Sequence, residues 1–136
     1  MVYGVSMAVV LSPRFVTAVL VEEEDDCIRV TWDLREPVPV DNPGYFGYEV
    51  RFCGVDGDGG KQFSVRVHDK TTAHMWDDAS GTHTDYAADN IAVTETAIAV
   101  NYRGVKLGLE TITAMAAFTH INGADRQVGL PVVLMR

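Results

Sequence analysis

The sequence predicts an all-β chain folded as an antiparallel two-sheet sandwich of seven to eight strands, and three observations predict it. Large apolar residues alternate with polar ones over short windows, the mark of strands with one buried face. Turn-forming residues separate those windows at regular intervals. No window repeats at helical spacing, and strands never alternate with helices as a parallel sheet requires.

Taken in order, residues 1–14 read as an N-terminal strand or arm. Their apolar run is interrupted by Tyr3, Gly4 and Ser6, and it lacks the basic start and small-residue cleavage site of an export signal. Residues 15–21 are rich in β-branched side chains and stop at the acidic run 22–26. The clearest strand follows, with Ile28, Val30, Trp32 and Leu34 on one face and Arg29, Thr31, Asp33 and Arg35 on the other. Pro37, Pro39, Pro43 and Gly44 then break the chain. Phe46, Tyr48, Val50 and Phe52 form the next apolar row, and Phe63, Val65 and Val67 another, separated by the glycine- and aspartate-rich turn 54–60.

Residues 69–90 show no alternation strong enough to define a strand and read as one long irregular loop, a feature that often carries function. Residues 91–93 and 97–102 read as two short strands or one bent one. The runs 111–121 and 127–135 flank Asn122 and Gly123, a strong hairpin signal because both residues tolerate positive φ. Pro131 donates no ladder hydrogen bond, so the last strand is expected at a sheet edge or with a bulge.

The totals bound what such a sandwich does. With 136 residues, the chain fits a single domain spanning 1–136. Hydrophobic residues at 47% suffice for a real core and argue against intrinsic disorder. A net charge of −8, with no basic cluster against it, repels phosphate backbones and argues against a nucleic-acid partner. No apolar stretch is long enough for membrane insertion as a helix.

The order of residues along these strands resembles a fibronectin type III domain, a relative of the immunoglobulin sandwich. Ile28, Arg29, Val30, Thr31 and Trp32 are similar to that family's tryptophan-bearing second strand. Gly47, Tyr48, Glu49 and Val50 match its third. Leu107 to Thr111, followed by Ile112 to Ala116, is similar to its sixth strand and the loop before it, and Asn122 with Gly123 falls at its last turn. The chain departs from the family at Ile112, where a tyrosine is usual, and in the length of segment 61–90. A jelly-roll sandwich of the carbohydrate-binding kind would accommodate that length. The resemblance implies an immunoglobulin-like fold and a binding or spacer module, since the fold itself hosts many functions.

Chemistry-bearing side chains concentrate in the loop 69–90, just after His68. His74, His83 and Asp85 are candidate ligands for a divalent metal, because imidazole nitrogen and carboxylate oxygen suit zinc-like ions. Their spacing fits none of the recognised metal signatures. Trp76 and Tyr86, with Asp77 and Asp78, are the candidate ligand-binding set, in which two aromatic faces would stack on a carbohydrate or an apolar partner surface. The bland alternative is a solvated loop whose two rings anchor it to the sandwich.

Elsewhere the signals weaken. The turn containing Asp56 and Asp58 fails the calcium-loop pattern, with Lys61 where its glycine belongs and Val67 where its closing glutamate belongs. The run 22–26 is expected to stay solvated and to discourage edge pairing. Cys27 and Cys53 would face each other only if their strands paired directly; in a fibronectin-type topology those strands lie in opposite sheets and the thiols stay free. None of Ser6, Ser12, Ser64 and Ser80 sits in a nucleophile elbow, and no phosphate-binding glycine loop is present. The expectation is therefore a non-catalytic module without a cofactor, acting through protein contacts or self-association. A carbohydrate- or metal-binding module built on 69–90 is the alternative.

Overall fold

A computed structural model describes residues 16–35, 46–53, 60–67, 70–105, 112, 114–121, 124–127 and 130–135. Outside them lie the predicted arm 1–14, the proline breaks at 37, 39 and 43, the Asp56–Asp58 turn, His68, the 107–111 match, and Asn122 with Gly123. The chain is all-β, with two mostly antiparallel sheets. Among the described residues no helix is long and apolar enough to cross a membrane.

Four strands and a late edge strand make the first sheet. They are β1 (Val16–Glu23), β2 (Cys27–Leu34), β7 (Ile91–Val93), β8 (Ala97–Arg103) and β11 (Val132–Met135), in the order β11-β1-β2-β8-β7. The second sheet contains β3 (Phe46–Cys53), β4 (Lys61–Val67), β5 (Thr71–Asp77), β6 (Thr82–Tyr86), β9 (Ala114–Ile121) and β10 (Ala124–Gln127), in the order β10-β9-β3-β4-β5-β6. All pairings are antiparallel except β1 with β11.

The alternation read in the sequence becomes the core. Ile28, Val30, Trp32 and Leu34 turn inward from the first sheet, and Phe46, Tyr48, Val50, Phe52, Phe63, Val65 and Val67 from the second. Strand β1 buries Val16, Val19 and Val21, which do not share one parity. A register shift between Val16 and Ala18 resolves this, since one extra residue turns the rest of the strand over. The core includes a run of edge-to-face rings, from Phe52 to Phe63 to Tyr102 to Tyr86. Tyr102 lies in the first sheet and donates its hydroxyl proton to the Ser64 carbonyl of the second at 2.9 Å. Burial, followed by the nearby Tyr86 and Glu49, pushes that phenol well above its usual range, so it stays a donor.

Three expectations change. Eleven strands are present among the described residues, where seven or eight were predicted, and most of the excess comes from segment 69–90. That segment is not an irregular loop. It contains β5, a turn, β6 and a short 3-10 turn (Ala88–Asn90). The run 127–135 is likewise interrupted: Gln127 ends β10, and β11 starts only after Pro131. The Pro131 carbonyl accepts the Val19 N–H at 2.9 Å, and β11 is an edge strand, the place expected for a proline-led segment. Ile121 pairs with Ala124, the partnership that the hairpin signal predicts.

Strands β2 and β3 belong to opposite sheets, and Cys27 and Cys53 are both free. Burial, then the Glu24 carboxylate, raises the Cys27 thiol, which donates to Glu24 Oε2 at 3.8 Å. A thiol held protonated is a poor nucleophile.

Candidate functional site: the outer face of the six-stranded sheet

Strands β3 to β6 follow one another as a meander, so residues distant in sequence line up in rows across its solvent face. One row runs Glu49, Ser64, His74, Asp85, and the next runs Arg51, Gln62, Trp76, His83. Together with Arg66 and Asp78, these rows without Asp85 line a shallow depression of about 470 Å³. Trp76 is 44% exposed in it.

At the centre of the sheet the face is stitched together. His120 Nε2 lies 2.8 Å from Glu49 Oε2, and both side chains are nearly buried. Gln62 donates its amide proton to Glu49 Oε1. The Gln62 carbonyl oxygen accepts from Arg51 Nε at 3.2 Å and from Nη2 at 2.5 Å. Gly47 pairs with His120 across the ladder, and the imidazole occupies the space a Cβ at Gly47 would need. Sequence reasoning missed His120 and Glu49 entirely. The signal lay in Gly47, a glycine inside a strong strand, which marks close approach by a neighbouring group.

Toward the edge strand β6, two histidines converge on one carboxylate. Asp85 Oδ1 lies 2.6 Å from His74 Nδ1 and 2.9 Å from His83 Nε2, and the two rings stack with centroids 5.5 Å apart. The hydrogen bond from His74 is the main influence lowering the Asp85 carboxyl pKa; modest burial opposes it, and the charges of His83, His74 and Arg66 add to it. The second nitrogen of His74 lies 3.1 Å from the Thr72 hydroxyl. Thus the three predicted metal ligands are brought together, with ligand atoms within 4.8 Å of one another.

The predicted ligand-binding set is not brought together. Tyr86 pairs with Ala73, on the inner face, whereas Trp76 points outward. The Tyr86 ring packs on Tyr102, and its hydroxyl donates to the Arg103 carbonyl at 2.9 Å. Burial raises this phenol too. Asp77 serves the turn. It pairs with Lys61 at 3.3 Å and accepts the Ala79 N–H at 3.1 Å. Asp78 is exposed at the rim of the depression, and its N–H donates to the Gly60 carbonyl at 2.9 Å.

Chemically, the order Asp85, His74, Thr72 is that of a carboxylate–imidazole–hydroxyl relay. Acyl transfer also needs donors preorganised toward a developing oxyanion. Thr72 sits within a strand paired to β4, whose amides serve the ladder. No protein-family model, no curated protein and no solved structure matches this chain.

Proposed function

We propose that this chain is a non-catalytic module of the immunoglobulin and fibronectin type III kind, binding a protein partner through the outer face of its six-stranded sheet. The observation that carries the reading is the exposed Trp76, set in a row with Arg51, Gln62 and His83. Tryptophan and arginine are the residues in which binding hot spots are richest, and solvent exposure of a large ring has a cost that a partner would remove. The depression carries Arg51 and Arg66 against Glu49 and Asp78, so it lacks the acidic excess of the chain as a whole.

Strand order supports the fold type. The run β1-β2-β8-β7 follows the A-B-E-D order of an immunoglobulin sheet, and β10-β9-β3-β4-β5 follows the G-F-C-C′-C″ order of a variable-type partner sheet. Strand β6 and the parallel β11 are additions to that plan.

A carbohydrate ligand would have Trp76 alone as its stacking face, because Tyr86 turns inward. A second copy of this chain is one form the protein partner could take, and sedimentation at micromolar concentration distinguishes it from a different protein. The test of the reading is affinity for whichever partner is captured from the source cells. Trp76→Ala should weaken binding by about 2 kcal/mol or more, while Arg29→Ala, on the outer face of the other sheet, should leave it unchanged. Equal affinity for both variants would remove the basis for this surface.

A further inference from the structure

The geometry points to a divalent transition-metal site at His74, His83 and Asp85, of a kind that would take zinc. It does not rest on the protein-partner reading, since the three ligands would hold an ion whether or not anything docks on the sheet.

Placement comes from the hairpin itself. His83 and Asp85 are two apart on β6 and so share a face, and His74 is the ladder partner of Asp85 on β5. Strand pairing thus fixes two donors on one strand and a third directly across. Both imidazoles already aim a nitrogen at the same carboxylate oxygen, at 2.6 and 2.9 Å. A metal bound there would replace the shared protons, taking nitrogen ligands at about 2.0–2.1 Å and a carboxylate oxygen at about 2.0–2.2 Å. The adjustment falls on Asp85, whose side chain is 68% exposed and free to swing outward.

The surroundings fit as well. With His74 ligating through Nδ1, its Nε2–H is left to donate to the Thr72 hydroxyl at 3.1 Å. That outer hydrogen bond fixes the tautomer and the ring orientation, as metal-bound histidines require. His83 is held by stacking on His74 and by the tilted Trp76 ring, 6.3 Å away. The charge of Arg66 also acts on Asp85, and it opposes a bound ion. Two neutral nitrogens and one carboxylate make three ligands. At least one position then stays open to water or to a ligand beside Trp76.

The experiment is a titration of EDTA-stripped full-length protein with Zn²⁺ by calorimetry, repeated with Co²⁺ by visible absorption. Wild type should take up about one equivalent of zinc and give a cobalt d–d band. His83→Ala and Asp85→Ala lie on an exposed edge strand where folding is least at risk, and circular dichroism checks this. Each should weaken zinc binding by roughly a hundredfold and lose the cobalt band, as should His74→Ala. No zinc uptake by wild type would overturn the inference. So would uptake that persists in a folded His83→Ala, Asp85→Ala double variant, because the metal would then sit elsewhere, for example at the acidic run 22–26.

Discussion

Gly47 shows how one missing side chain organises the outer face of the six-stranded sheet. It is the second residue of β3, in a strand where a β-branched residue would ordinarily be favoured, and the His120 ring fills the space above it. That position brings the imidazole to Glu49, and Glu49 in turn holds Gln62 and Arg51. Gly47→Ala would force the ring away and break the nearly buried contact between His120 and Glu49. It should cost about 1–3 kcal/mol in chemical denaturation. In a His120→Ala background the same change should cost distinctly less, because the clash is gone; a double-mutant cycle reads this coupling. Asp77 makes a smaller, pH-dependent contribution. Burial favours its neutral form, but Lys61 and the Ala79 N–H outweigh it and hold the carboxyl below its usual range. A carboxyl depressed in the folded state stabilises above its unfolded pKa of about 3.9, and this stability is lost as pH falls through the folded value. Asp77→Asn should therefore lower stability at neutral pH by about 0.2–1 kcal/mol. As pH falls below the unfolded pKa the difference should shrink, which acid titration of the unfolding midpoint checks.

At the scale of the element, the β5–β6 hairpin carries most of the candidate chemistry and was the part least legible beforehand. Strands β2, β3 and β4 announce themselves because one face of each is filled with large apolar residues. In β5 the inward residues are Thr71, Ala73 and Met75, and in β6 Tyr86 is the only inward apolar side chain. An edge strand exposed on both faces has no reason to alternate, so periodicity fails where burial is absent. The usable signal was the turn between them: Asp77 to Gly81 is rich in turn formers, and Gly81 adopts φ +66. Centring a hairpin there places His74 opposite Asp85, so the convergence of the three candidate ligands, already named from their chemistry, was recoverable in principle from the register. The inward turn of Tyr86 follows from the same register. Its hydroxyl ties β6 to the opposite sheet at Arg103. Tyr86→Phe should cost about 0.5–1.5 kcal/mol, with amide exchange accelerated in β6 more than in β3 or β4. Uniform acceleration across the sheet would mean that the tyrosine supports the whole core rather than this edge.

For the molecule as a whole, composition and alternation were enough for a two-sheet, mostly antiparallel sandwich, but not for its strand number. Sheet order is a matter of long-range pairing that no local window encodes. The cysteines illustrate the point: parity alone allowed Cys27 to face Cys53, and only the assignment of β2 and β3 to opposite sheets separates them. The same assignment leaves two outer faces of different character. On the first sheet, the outward side of β2 presents Arg29, Thr31 and Asp33. On the second, the meander presents Trp76 between arginines and histidines, and it is there that a partner is expected.

The most direct measurement places a photo-crosslinking amino acid at position 78, on the rim of the depression, or at position 29 on the opposite face, in the cells that make the protein. The account predicts a discrete crosslinked product from position 78, absent from position 29 and lost when Trp76→Ala is added. No product from position 78, or the same product from both positions, would contradict the assignment of the six-stranded sheet as the binding surface.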